Sequence, residues 1–396
     1  MDPLFSDRIT DVPRSFIREI LKVAISKDLI SFAGGLPNRE LFPVEELQKA
    51  TLKVFETSAR DALQYSNSEG YDELRKYISN RYMVKKGLTI PFENILITTG
   101  SQQGMDLLGK TFINEKDDII IEEPGYLGAI QAFSVYRATF NPVRLHENGL
   151  DISSLEQILN TRKIKFIYTN PNFQNPSGIS YSKENRIQIA NLVKNRNIFL
   201  VEDDPYGELR FSGEEKPSFM HLIPEHTILL GSFSKTAVPS FRIGWIVAPP
   251  SIMDKLLVAK QASDLHTNYF VQRILHQYLI DNDIDNHIFN IRIHYGRQKN
   301  EMIKSIQEHF PSEVKYTNPE GGMFLWVTLP EHISSMKLFD LAIKKNVAFV
   351  PGHPFYTRKG DVNTLRLNYT CTDEPTIREG IKRLSESVIE ILNSKI

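Results

Sequence analysis

A chain of 396 residues, at roughly 150 per domain, holds two or three domains, or one large body with a smaller lobe. With 41% hydrophobic and 24% charged residues it can build a sizeable core, which excludes disorder over most of its length. Its 47 Lys+Arg against 48 Asp+Glu, a net charge of −1, exclude a protein whose main business is coating nucleic acid or an anionic membrane. No apolar run approaches the roughly 18 residues of a membrane span. The first eight residues, MDPLFSDR, lack the apolar core of a signal peptide. The single cysteine, Cys371, cannot form an internal disulfide or a multi-thiolate metal site, and the ten histidines show no H-x-x-x-H or H-E-x-x-H spacing, so no metal is expected. The expected compartment is the cytoplasm. The terminal Ser394-Lys395-Ile396 comes close to a peroxisomal address, but a frayed helix end is the simpler reading.

In chain order, residues 15–26 read as a helix, followed by the irregular Ala33-Gly34-Gly35-Leu36-Pro37. Strands are expected at 94–99, 118–122, 139–145, 165–169, 198–202, 227–231 and 243–248. Helices are expected at 102–112, 126–136, 155–160 and 183–195. The strands are short, apolar and mostly not alternating, as strands buried on both faces are. Strand–helix alternation predicts an α/β fold, a mostly parallel, seven-stranded-type sheet sandwiched by helices. After about Asn286 the pattern changes to a long helix at 287–310, strands at 323–329, 348–350 and 364–368, and helices at 338–345 and from Glu374. This predicts a smaller α+β lobe. The expected division is 1–45 as N-terminal arm and helix, part of the small domain and gate, 46–285 as the large domain and 286–396 as the small C-terminal domain.

Several motifs are missing. No G-x-G-x-x-G follows a strand, no G-x-S-x-G appears, and Ser234 stands where a P-loop needs glycine. The motifs present cluster at strand ends. In Gly231-Ser232-Phe233-Ser234-Lys235-Thr236 a strand ends in two hydroxyls and a lysine, and Arg242 follows seven residues later. A desolvated lysine, or one beside another cation, becomes a nucleophile. Serines and a bidentate arginine grip phosphate. Together they suggest pyridoxal 5′-phosphate held as a Schiff base, against the plain alternative of a solvated turn lysine. Glu202-Asp203-Asp204-Pro205-Tyr206 ends a second strand. A buried carboxylate there can pair with the pyridine nitrogen, and Tyr206 with the ring oxygen, although Asp and Pro are also common at ordinary strand exits. Thr99-Gly100-Ser101-Gln102 opens a helix whose free N–H groups attract anions; a plain serine cap is the alternative. Asn170–Gly178 brings Asn175 to a fourth strand end, and Glu122-Glu123-Pro124-Gly125-Tyr126 offers Tyr126 for stacking at a fifth. Arg366, apolar on both sides in its strand, suits a carboxylate or an edge-strand surface.

These segments together resemble the fold-type I, class I/II pyridoxal-phosphate aminotransferases, with the closest likeness to the 2-aminoadipate/kynurenine aminotransferase group. The resemblance runs from Ile17-Arg18-Glu19 to Arg366 and rests on S-x-S-K with R-x-G-W, N-P-S-G and E-D-D-P-Y in that order. It implies that Lys235 carries the cofactor and shuttles a proton, that Asp203 pairs with the pyridinium, and that Tyr206 and Asn175 hold the ring oxygen. It implies stacking by Tyr126 and a phosphate cup of Ser101, Gln102, Ser232, Ser234 and Arg242. Tyr65 would reach the phosphate of a neighbouring subunit, which implies a homodimer with shared sites. Arg366, with Asn175 and the Gly35 backbone, would clamp the substrate carboxylate, and Arg18 would gate the site and read an acidic side chain. Asp204 is expected to matter far less than Asp203. The implied activity is ping-pong transfer of an amino group from an amino acid to a 2-oxo acid, with 2-oxoglutarate as the expected acceptor. A pyridoxal-phosphate lyase or decarboxylase remains open. A ligand-sensing regulator is disfavoured, because such proteins add an N-terminal winged-helix module of about 70 residues and here the domain starts within the first 20.

Overall fold

The computed structural model describes residues 4–12, 29–358 and 360–393. The helix expected at 15–26, with Arg18, and the terminal 394–396 lie outside the described residues. The large sheet is built from β2 (Ile95–Thr99), β3 (Asp118–Glu123), β4 (Thr139–His146), β5 (Gly149–Leu150), β6 (Ile164–Thr169), β7 (Phe199–Asp203), β8 (Thr227–Ser232) and β9 (Ile243–Val247), in the spatial order β2-β9-β8-β7-β6-β3-β4-β5. β8, β7, β6, β3 and β4 are mutually parallel. β9 runs antiparallel between β2 and β8. The reason is local: a link of ten residues, 233–242, holds no crossover helix, and returning parallel needs a dozen or more. The two-residue β5 turns back on β4 and adds an eighth strand to the seven expected.

Side-chain alternation explains why these strands read as continuous apolar runs. Ile95, Ile97, Leu229, Trp245 and Val247 enter one hydrophobic cluster, while Leu96, Ile228, Leu230 and Ile246 enter another. Likewise Ile119, Ile121, Phe166 and Val201 face one way and Ile120, Ile167 and Leu200 the other. Both faces are therefore covered, and neither can carry the polar residue that an alternating strand would show.

A second sheet of four antiparallel strands has the order β10-β11-β14-β13: Lys315–Tyr316, Phe324–Thr328, Thr364–Asn368 and Val350–Pro351. Helices Ile284–His309, Ser335–Lys344 and Glu374–Asn393 pack with it around Met323, Leu325, Leu367 and Ile377. β1 (Ile30–Ser31) pairs in parallel with β12 (Val347–Ala348), so the chain next to Gly35 is bound to this C-terminal part. Helices Val44–Ala62, Asp72–Lys86, Pro250–Asp264 and Tyr269–Asp281 complete the main elements. Among the described residues no helix is long and apolar enough to cross a membrane.

The β8–β9 pair is tightly packed. Gly231 faces Trp245 across it, and a Cβ on Gly231 would lie 2.2 Å from the indole ring. Gly231→Ala must push Trp245 away from Phe233 and break its 2.9 Å indole bond to the Tyr82 hydroxyl. It should cost about 1–3 kcal/mol in urea unfolding and shift Trp fluorescence to the red; unchanged values of both would contradict this packing.

Candidate functional site

A cavity of about 520 Å³ opens beyond the carboxyl ends of the parallel strands, closed on its other side by Gly35 and Arg366. Ligands in such sheets bind at that edge. Lys235 enters from the β8–β9 link, and its Nζ donates to the Gly35 carbonyl at 2.8 Å. Burial, reinforced by the Arg366 and Arg242 charges, lowers its pKa to about 8.

Asp203 closes β7 and is 2% exposed. Its Oδ2 accepts from the Tyr168 hydroxyl at 2.6 Å, while its Oδ1 is buried with no hydrogen-bond partner among the described residues. Burial raises the carboxyl to about 7; the Tyr168 bond opposes the rise, and Asp204 and Glu122 add to it. The Asn170 amide donates to the Asp203 carbonyl at 2.6 Å and so locks the ends of β6 and β7 together.

Arg366 sits in the middle of the second sheet, between β11 and β13, so the edge-strand alternative fails. It is 2% exposed. Its Nη1 donates to Asn175 Oδ1 at 2.9 Å and its Nη2 to the Ala33 carbonyl at 2.8 Å. The guanidinium carbon lies 4.3 Å over the Phe324 ring centroid. Burial pulls its pKa down to about 10. The Asn175 side chain also hydrogen-bonds the buried Tyr206 hydroxyl, whose pKa is raised by burial.

An anion cradle lies at the other end of the cavity. Helix Gly100–Phe112 points its N-terminus there, with Ser101 and Gln102 in its first turn. A Cβ on Gly100 would lie 2.4 Å from Arg242 Nη2, and one on Gly244 would lie 2.7 Å from the Ser101 nitrogen. Two glycines thus let turn, strand and guanidinium close up. Arg242 itself is left-handed, at φ 56°. Ser234 lines the cavity. The Ser232 hydroxyl accepts from the Ser234 N–H at 3.0 Å, and the Gln102 amide donates to the Gly128 carbonyl at 3.0 Å. Tyr126 caps helix Leu127–Ser134 along the cavity wall, and burial raises its hydroxyl to about 12. A Cβ on Gly128 would lie 2.6 Å from that ring, so glycine there leaves it room.

One expected site residue stands apart. Tyr65 does not line this cavity; it is 81% exposed, edge-on to His266. Asp204, the neighbour expected to matter far less than Asp203 for turnover, has a structural partner set of its own: it is buried, paired with Lys86 Nζ at 2.7 Å, and accepts from Asn172 at 2.9 Å. Burial raises its carboxyl, but Lys86 outweighs this and the pKa ends below the usual range. Tyr168, and Asn170 within its strand-end motif, carried no expected role of their own. Their only signal is a polar group at the end of the apolar run FIYTN.

The family Aminotransferase class I and II matches residues 27–384. The chain is 42% identical over 392 residues to aromatic-amino-acid aminotransferase 1 of Thermococcus litoralis, covering 98% of this chain and 94% of that protein. It is 40% identical over 385 residues to the 2-aminoadipate transaminase of Thermus thermophilus, covering 96% and 95%. Among solved structures, the kynurenine aminotransferase of Pyrococcus horikoshii, crystallised in complex with PMP, superposes with a TM-score of 0.94 at 41% identity, covering 99% of this chain and 98% of that one.

Asp204→Asn would leave the Lys86 ammonium without its counter-charge in a half-closed site. It should lower unfolding stability by about 3–5 kcal/mol, because the stranded charge costs more than the pair contributed. A urea midpoint equal to that of the parent would refute the ion pair.

Proposed function

The chain belongs to the class I and II aminotransferases and is a pyridoxal-phosphate enzyme that transfers amino groups, and on that premise we propose which residues do the work and on what. One observation carries the reading: the Lys235 amine and the Arg366 guanidinium reach one cavity and are both tied to the same short segment, through the Gly35 and Ala33 carbonyls. An amine and a carboxylate clamp so placed suit an α-amino acid.

The residues present fit the cofactor. The unpartnered Asp203 Oδ1 wants a donor, which a protonated ring nitrogen is; the helix N-terminus with Ser101, Gln102, Ser232, Ser234 and Arg242 wants an anion, which the phosphate is. Pyridoxal phosphate supplies a carbonyl that takes up the amino group and a ring that spreads the charge left when the substrate Cα loses its proton. Lys235, near neutrality through burial, holds the cofactor and moves the proton at Cα. Tyr206 and Asn175 orient the ring oxygen, and Tyr126 covers the ring face. Arg366 with Asn175 and the Gly35 backbone fixes the α-carboxylate, and so decides which Cα bond stands ready to break.

We take the donors to be amino acids with long or aromatic side chains, in line with the names of the relatives, and 2-oxoglutarate to be the acceptor. Arg18 is the proposed gate and reader of acidic side chains. We further propose a cytoplasmic homodimer in which Tyr65 serves the neighbour's phosphate. Tyr65 and Leu63, 81% and 66% exposed, are large apolar groups that an interface would cover. The large domain is read as 46–285, and the small one as 1–45 with 286–396; in support, β1 pairs with β12 and Phe32 joins the cluster of the C-terminal part.

An amino-donor screen with 2-oxoglutarate tests the function: glutamate, 2-aminoadipate, leucine, phenylalanine and kynurenine, in parent, Arg366→Ala and Arg18→Ala. Arg366→Ala should lower kcat/KM for every donor by a similar factor, equivalent to about 2–5 kcal/mol. Arg18→Ala should penalise only acidic donors. A donor-selective Arg366→Ala would remove the clamp assignment. The lysine has its own test. Only the neutral amine attacks a carbonyl, and the Lys235 pKa is displaced downward to about 8. Re-attachment of the cofactor to the apoenzyme should therefore quicken as pH rises to about 8 and level off above it. Lys235→Ala should show no covalent attachment at any pH; a visible spectrum unchanged by this substitution would reject the role.

A further inference from the structure

Glu122, next to last in β3, is 1% exposed and lies outside the cavity lining. Its carboxylate receives three donors. Oε1 accepts from the Tyr181 hydroxyl at 2.5 Å and from the Asn170 backbone N–H at 2.9 Å; Oε2 accepts from Gln174 Nε2 at 3.0 Å. All three belong to the segment that follows β6 and carries Asn175. Inside that segment the Asn170 side-chain oxygen accepts the Asn175 N–H at 2.9 Å, and Gln174 Oε1 accepts the Ser177 N–H at 2.9 Å. Asn175 then meets Arg366 at 2.9 Å.

We propose that Glu122 is a positioning residue for substrate-carboxylate recognition: through Asn170 and Gln174 it sets Asn175 against Arg366. This rests on the reading of Arg366 and Asn175 as the carboxylate clamp. The chemistry requires an acid at this place rather than an amide. In a glutamine at 122, an NH2 on the Oε1 side would face the fixed backbone N–H of Asn170. Placed on the Oε2 side, it would face the Gln174 NH2. Turning Gln174 over would set its NH2 against the Ser177 N–H and its oxygen against the Pro124 carbonyl, to which it now donates at 2.8 Å. Every arrangement leaves a donor facing a donor.

The holoenzyme of Glu122→Gln should still hold its cofactor on Lys235, with at most a shift in the visible spectrum, because Asn175 also serves the ring oxygen. Its KM should rise by roughly tenfold for every amino donor with kcat changed far less, as expected when one hydrogen-bonded contact to a charged group is misplaced. Tyr181→Phe, which removes one of the three donors without changing shape, should move KM the same way by a smaller factor and covers the case in which Glu122→Gln fails to fold. In an Asn175→Ala background Glu122→Gln should add nothing to KM, because its effect passes through Asn175. If Asn175→Ala raises KM but neither variant does, the positioning role is wrong and the clamp stands. If Asn175→Ala itself leaves KM unchanged, the clamp reading fails first. Additive effects of Glu122→Gln and Asn175→Ala would also overturn the proposal.

Discussion

A sheet covered on both faces has no place for a polar side chain except at the ends of its strands, and the architecture follows from that constraint. Ile95, Ile120, Ile167, Leu200 and Ile228 are wholly buried, so the first residues free to be polar are those at the carboxyl edge. Six strand directions agree there. One edge therefore collects Thr99, Glu122, Thr169, Asp203 and Ser232 from five strands far apart in sequence. The second sheet closes this edge with one buried arginine, anchored to the segment at 33–35 that belongs to neither sheet.

Burial acts in opposite senses on the two groups that matter most. It lowers the Lys235 amine to about 8 and raises the Asp203 carboxyl to about 7. Each is helped by like charges: Arg366 and Arg242 beside the lysine, Asp204 and Glu122 beside the aspartate. Both groups thus sit near neutrality, where a proton moves at little cost. A cationic ring nitrogen against Asp203 Oδ1 and an anion in the Arg242 cradle would relieve both strains at once, so that one cofactor would suit the whole cavity.

Much of this was legible in the chain. Short apolar runs marked β2, β3, β6, β8 and β9 within a residue or two, because doubly buried strands leave a dense local signal. Lys235, Asp203 and Arg242 were legible because their motifs are contiguous. The antiparallel course of β9 could be inferred only from a link too short for a helix. Helices Val44–Ala62 and Asp72–Lys86 went unassigned: their buried residues are three each, and one of the six is Arg75, so the apolar stripe is thin. The ion pair of Asp204 is not legible because its partner Lys86 lies 118 residues away. Tyr168 and Glu122 are single polar residues whose purpose depends on contacts across strands, and no local pattern encodes those.

The buried acids of the site show how the fold separates structure from chemistry. Four stand within reach of one another at the ends of β3 and β7, and each could threaten the fold by its desolvation. Glu122 is satisfied by three neutral donors. Glu202 accepts from Ser218 and the Phe219 N–H on Oε2, while Oε1 has no hydrogen bond among the described residues but faces the Arg186 guanidinium at 3.7 Å. Asp204 has Lys86 and Asn172. Asp203 has Tyr168 on one oxygen, nothing on the other and no cation beside it among the described residues. Three acids are compensated by the chain, two of them with a cation close by, and their removal would disturb loops and stability. The fourth is completed only by what enters the cavity. A residue whose environment is unfinished in the folded chain is where binding energy can be taken up, and here it lines the same cavity as the lysine and the arginine that would hold the rest of the ligand.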